Sequence, residues 1–166
     1  MKRTLIVVTK EKDFEEAIKQ HSNIISKVCY YYANDLDHFK DLRQEVLINI
    51  WNGWDQFNSE SKLSTWFYRI AINTCVSQFR KSRRRGDKIS LESLLNVPSD
   101  NDFDYSQLNE MHSLINRLDA QEKAIILLWL DETPYDTIGE LTGLNRNTVA
   151  SKLRRIKEKL IKFSDE

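Results

Sequence analysis

The sequence predicts an all-α protein of two small helical domains joined by an acidic linker. Three observations predict it. Apolar residues recur at spacings of three and four along most of the chain, the signature of a helix face. Only 4 Gly and 2 Pro occur in 166 residues, few for a sheet protein rich in tight turns. Charge is sorted into blocks, although 25 basic and 25 acidic groups cancel overall. Residues 1–85 carry 15 basic against 10 acidic groups, a balance of +5; residues 86–110 stand at −5, 111–144 at −4 and 145–163 at +6. Two basic blocks separated by acidic stretches predict two contacts with a polyanion.

The elements follow in order. Thr4–Thr9 is short and β-branched, and reads equally as a strand, an arm or a frayed helix start. From Asp13 a long helix is predicted, with Phe14, Ala17, Ile18, His21, Ile25, Val28, Cys29 and Tyr32 on one face. Asp35–Asp41 breaks it. A second helix reads from about Leu42 to Trp54, with Leu42, Val46, Leu47, Ile50, Trp51 and Trp54 inward. After a polar loop, Ser64 or Thr65 can cap a third helix that ends in the basic run Phe79–Arg85. Gly86–Glu110 has weak periodicity, Pro98 and an acidic run; it is a linker with a short helical turn expected at Leu91–Leu95. Helices resume at about Met111–Leu118, Gln121–Trp129, Tyr135–Leu141 and Asn145–Phe163. The domains are therefore 1–85 and 111–166, with 86–110 as linker.

Composition excludes several classes. With 40% hydrophobic and 30% charged residues the chain is foldable and soluble. No apolar run nears the roughly 18 residues of a membrane span, and Leu5–Val8 is too short for a signal peptide, so a cytoplasmic location is expected. Cys29 and Cys75 are far apart in sequence and belong to no CxxC or Cys/His cluster, so neither a disulfide framework, a metal site nor any cofactor is expected. His21 reads as a core-edge residue and His38 as a loop residue. No phosphate-binding glycine motif occurs, so an enzyme is not expected.

The sharpest motif is C-terminal. Tyr135–Leu141, a turn with Gly143, and the helix from Asn145 have the layout of a helix-turn-helix. Val149, Leu153, Ile156 and Leu160 form its inward stripe. The opposite face presents Arg146, Asn147, Ser151, Lys152, Arg154 and Arg155, donors suited to phosphates and major-groove base edges. A solvated charged face is the plain alternative; the Gly turn, the cap and seven cations in one helix favour DNA. Lys159 is expected to face phosphates. A second motif joins Trp66, Phe67 and Tyr68 to Arg80, Lys81, Arg83, Arg84 and Arg85, aromatic and basic groups that suit unstacked bases. Trp66 reads better as core, and the basic run as a nucleic-acid contact.

These stretches resemble a bacterial RNA polymerase sigma factor of the extracytoplasmic-function (ECF) group. The matching segments are DLRQEVLINIW at 41–51, STWFYRIAIN at 64–73 with the basic run after it, and 118–160. The resemblance implies that the chain directs promoter-specific initiation, with a region 2-like N-terminal domain and a helix-turn-helix C-terminal domain. It implies that Asp41, Gln44 and Glu45 bind the clamp of the core polymerase β′ subunit. It places Asn58, Ser59, Glu60, Ser61, Lys62 and Leu63 in the loop that takes a flipped base of the minus-ten element, with Asn73, Gln78 and Arg80 on the same strand. It assigns Arg146, Asn147, Ser151, Lys152, Arg154 and Arg155 to the minus-thirty-five element. The β flap, promoter DNA and an anti-sigma factor, in some members membrane-anchored, are the other implied partners; no small-molecule substrate is. Two positions depart from the family. Ala150 stands where a basic residue is common, and Gly139 where Ala is common, so Gly139→Ala is expected to stabilise by roughly 1 kcal/mol.

Length agrees with this reading. The implied promoter elements lie roughly 17 base pairs apart, about 58 Å at about 3.4 Å per step. A 25-residue linker, residues 86–110, reaches at most about 85 Å. A free-standing helix-turn-helix regulator that dimerises on a palindrome is the main alternative, and it leaves the basic end of the N-terminal domain without a role.

Overall fold

The computed structural model describes the backbone of residues 2–86 and 109–166, and the side chains of 9–86 and 110–166. The expected helical turn at 91–95 and most of the linker lie outside the described residues. Everything described is helix or turn, with no strand among the described residues.

Helix α1 spans Lys2–Tyr32 without interruption, so the ambiguous Thr4–Thr9 stretch is helical. Once a helix is nucleated, each added residue costs little, and β-branching subtracts only tenths of a kcal/mol. Helix α2 spans Leu36–Gly53 and starts six residues before the expected Leu42. Asp35 is the reason: its carboxylate accepts the His38 N–H at 2.8 Å, an N-cap read in sequence as part of a break. His38 is therefore helical, not a loop residue, and its Nδ1 accepts from the Asn34 N–H. A short 3-10 turn, Trp54–Gln56, follows. Helix α3 spans Leu63–Arg85. Its N-cap position is Lys62, without a side-chain cap, so neither Ser64 nor Thr65 caps it. Gly86 ends it at φ 75°, a left-handed cap that a side chain would strain.

These three helices share one core. Phe14 meets Trp51 edge-on at 4.8 Å and Trp54 at 5.6 Å. Trp66 sits among Trp54, Phe57 and Phe67, so it is packing rather than a free stacking platform. Cys29 and Cys75 are buried free thiols whose Sγ atoms touch at 3.9 Å.

The C-terminal helices are α4, Asn109–Ile115; α5, Ala120–Leu130; α6, Tyr135–Thr142; and α7, Arg146–Ser164. A capping box of Asp119 and Glu122 starts α5. Gly143, at φ 73°, turns the chain between α6 and α7, and Asn145 caps α7 by accepting the Thr148 N–H. Val149, Leu153 and Ile156 are buried as the stripe predicts. Gly139 contradicts its expectation. A Cβ there would lie 2.4 Å from the Leu144 carbonyl oxygen, so Gly139→Ala is a clash, not a gain.

The two halves pack directly on each other. The Tyr32 hydroxyl donates to the Ala120 carbonyl at 2.7 Å. Lys123, fully buried, donates from Nζ to the Tyr31 carbonyl at 3.0 Å and to Asn116 Oδ1 at 2.6 Å, with its charge 4.3 Å from the Phe79 ring. His112 Nε2 lies 2.8 Å from the Tyr30 carbonyl, which makes it the protonated nitrogen of a neutral ring. Burial pushes His112 down to about 4, against the pull of the carbonyl bond. Burial, then Arg83, pushes Lys123 down to about 7.

A pH dependence follows. His112 Nδ1 is buried without a partner, so protonating it strands a charge. A base depressed from 6.5 to about 4 contributes stability that is complete above about 6.5 and is lost as pH falls to about 4. The loss is up to about 3 kcal/mol. His112→Gln keeps an N–H for the Tyr30 carbonyl and cannot protonate there. Thermal midpoints of wild type and His112→Gln should be close at pH 7.5, with the variant losing much less by pH 4.5. Parallel decline of both would assign the acid loss elsewhere.

Candidate functional site

Four surfaces carry the residues singled out in sequence. The first is the groove face of α7. At 3.6 residues per turn, Asn147, Ser151, Arg154 and Arg155 lie opposite the buried stripe, and all four are exposed. Asn147, Thr148, Ser151, Lys152 and Arg155 line one concavity with Asn145 and Arg146. Two of the cations have local partners. Arg146 pairs with Asp136 at 3.0 Å, and Arg154 lies 3.9 Å from Glu158. Both pairs are exposed, so they are weak and separate readily. Lys159 is exposed and pairs with Glu122 of the α5 capping box.

The second surface is the α3 face. Asn73 and Arg80 share one stripe and one cavity of about 470 Å³ with Ser77, Lys81 and Arg84. Gln78 is not with them. It points at α2, where its Nε2 donates to both Glu45 oxygens at 2.8 Å. Lys81 and Arg84 belong to the basic run read as a nucleic-acid contact; Ser77 was missed in sequence. The three-and-four spacing applied to apolar residues finds it when applied to polar ones.

The loop before α3 is the third. Asn58, Ser59, Glu60 and Lys62 are exposed, and Ser61 is half-buried. Asn58 Oδ1 accepts the Glu60 N–H, and Ser59 has φ 61°, so the loop is a tight polar turn. Leu63 is half-buried and packs on the core, which takes its side chain out of the loop's polar surface. On α2, Asp41 and Gln44 are exposed and Glu45 is half-buried. Ile48 and Trp51 are large apolar side chains left 52% and 37% exposed on the same helix.

Comparison with known proteins decides what these surfaces belong to. Residues 17–85 match Sigma-70 region 2, and residues 108–160 match Sigma-70 region 4. The ECF RNA polymerase sigma factor SigW of Bacillus subtilis is 26% identical over 163 residues, covering 90% of this chain and 87% of SigW. The chain belongs to the ECF sigma factors. RNA polymerase sigma factor SigV of Bacillus subtilis is 23% identical over 83% of the chain and 82% of SigV. Among solved structures, the sigma factor RpoE in complex with the anti-sigma factor NepR from Bartonella quintana superposes with TM-score 0.71 at 25% identity. It covers 93% of this chain and 98% of its own. CnrH in complex with the cytosolic domain of CnrY shares the fold, with TM-score 0.70 at 16% identity. The sigma factor thus holds region 2 in α1–α3 and region 4 in α4–α7, and it serves promoter-specific transcription initiation. Among the described residues, no Cys/His/Asp/Glu group suits a metal ion, and no helix is long and apolar enough to cross a membrane.

Proposed function

We propose that α7 reads the upstream promoter element through Asn147, Ser151, Lys152, Arg154 and Arg155, with Arg146 released from Asp136 to a phosphate. The observation that carries it is the exposed concavity bearing Arg146, Lys152 and Arg155, with Arg154 exposed beside it, at the start of a helix held by a Gly turn and an Asn cap. Arg guanidinium groups there suit bidentate contact with guanine, each worth about 1–3 kcal/mol of discrimination. Arg155→Ala should weaken binding to the upstream element and flatten its sequence preference. Lys162→Ala, an exposed cation at the far end of the helix, should weaken all sequences alike. Binding across a promoter library checks this; identical profiles would reverse the orientation given to the helix.

The α3 stripe of Asn73 and Arg80, extended by Lys81 and Arg84, serves the opened minus-ten strand, with the Asn58–Lys62 loop taking an unstacked base. Gln78 acts through Glu45 rather than on DNA. Changes in the loop should impair strand opening far more than initial duplex binding. Permanganate reactivity of unpaired thymines reports it; a loop-swapped variant with wild-type reactivity would remove the loop from melting.

Asp41 and Gln44, flanked by Ile48 and Trp51, form the core-polymerase face. The domains are 1–85 and 111–166, although helix α4 begins at Asn109, inside the 86–110 linker. The likeness to a sigma factor solved with an anti-sigma factor supports such a partner here. The sigma factor works in the cytoplasm, and the polymerisation chemistry belongs to the core enzyme.

A further inference from the structure

A polar ladder joins α2 to α3 along the rim of their apolar contact. Gln78 Nε2 donates to both Glu45 oxygens at 2.8 Å. One turn away, Asn49 Nδ2 donates to the Thr74 hydroxyl at 2.9 Å. The two rungs share one register, because four residues forward on α2 match four residues back on α3. Gly53 continues it: a Cβ added there would lie 3.9 Å from Ile70 Cδ1. The Glu45 carboxylate fixes which way the Gln78 amide faces, since the flipped amide would set oxygen against oxygen. Glu45 and Gln78 are half-buried, and Thr74 is buried. Charge-assisted bonds of this kind are short, directional and stronger than neutral ones.

The ladder stands between two functional faces. At about 100° per residue, Glu45 and Asn49 lie on α2 between the buried side of Leu42, Val46 and Ile50 and the exposed side of Asp41, Gln44 and Ile48. On α3, Thr74 and Gln78 lie about 110° round from the stripe of Asn73, Ser77, Arg80 and Arg84. The apolar burial beneath is non-directional and does not by itself fix the rotation of α3. A turn of about 20° moves a side chain at the helix surface, about 5–6 Å from the axis, by about 2 Å. That is enough to take Asn73 or Arg80 out of hydrogen-bond reach of a strand.

We infer that Glu45, Asn49, Thr74 and Gln78 are positioning residues for promoter opening. They lock the rotation of α3 on α2, so that the minus-ten stripe is aimed from the helix that core polymerase holds. The inference rests on the polymerase reading of α2 and the minus-ten reading of α3. The test is permanganate reactivity of promoter thymines at saturating core polymerase, where a change in polymerase affinity does not enter. Gln78→Glu sets two carboxylates against each other and should lower opening by about tenfold or more. Glu45→Gln with Gln78→Glu restores an amide–carboxylate pair with the groups exchanged, and should return opening to within about threefold of wild type. Asn49 is exposed, so Asn49→Ala spares the core, and it should lower opening by about threefold. Asn49→Asp, which can accept from the Thr74 hydroxyl, should not lower it. Binding to the upstream element should be unchanged in all four proteins. Wild-type opening in Gln78→Glu overturns the inference. So does an exchange variant as impaired as Gln78→Glu, which would put the Gln78 amide on the DNA itself. Failure of the minus-ten reading shows separately, as wild-type opening in Arg80→Ala, a stripe residue outside the ladder.

Discussion

Gly139→Ala should destabilise the sigma factor, lowering its thermal midpoint by roughly 4–12 °C. Helix propensity alone says the opposite, because Ala in a helix is favoured over Gly by about 1 kcal/mol. Packing decides against it. The new methyl carbon would stand 2.4 Å from the Leu144 carbonyl oxygen, a backbone atom that cannot swing aside like a side chain. Moving that carbonyl means moving the turn, and the turn is tied back to Gly139 itself. The N–H groups of Gly143 and Leu144 both bond the Gly139 carbonyl. Asn145, next in line, caps α7. Overpacking of this kind costs about 1–3 kcal/mol, and the upper part is expected because backbone must shift. DNA affinity should fall as well, since the displaced turn carries Arg146 and Asn147. Thermal and chemical denaturation, read beside binding to the upstream element, measure both. A raised midpoint would mean that the turn relaxes without strain.

Gly139 shows where sequence reading runs out. Its neighbourhood was legible: the Gly143 turn, the Asn145 cap and the Val149–Leu153–Ile156 stripe each depend on residues within a few positions of one another. The distance from Gly139 to the Leu144 carbonyl depends on the crossing of α6 and α7, which no local pattern encodes. Lys123 is a sharper case. In sequence it is one cation in an acidic block; its burial comes from a carbonyl 92 residues away. The family resemblance groups Gln78 with Asn73, yet five residues at about 100° each place them about 140° apart. Glu45 then claims Gln78 across the α2–α3 contact. Asp35 was read as a breaker because Asp disfavours helix interiors, and the same side chain is a strong starter when its carboxylate reaches the third N–H.

The polymerase face gives the second large effect. Asp41→Arg with Gln44→Ala should reduce affinity for core polymerase by more than tenfold while leaving helix content intact. Both side chains are exposed, and no hydrogen bond to either is part of the α2 packing described above. The buried side of α2 is Phe39, Leu42, Val46 and Ile50, which the substitutions do not touch. Ile48 and Trp51 extend the same exposed region with apolar area, and Lys10 lies 4.7 Å from the Trp51 ring at its edge. Apolar area beside a carboxylate is the make-up of a surface that another protein covers, where truncating one member of a desolvated charge pair costs about 2–5 kcal/mol. Glu45 is a poorer target than the sequence suggested. It holds the Gln78 amide through both oxygens, so its removal also disturbs α3 and confounds polymerase binding with promoter opening. Binding of purified core polymerase to wild type, to the Asp41/Gln44 variant and to Glu45→Ala separates the two effects. The double variant should lose polymerase affinity while its far-ultraviolet helix signal stays at the wild-type level. Glu45→Ala should show a smaller loss together with altered thymine reactivity in the opened strand. Equal polymerase affinity in all three proteins would remove the α2 surface from the interface.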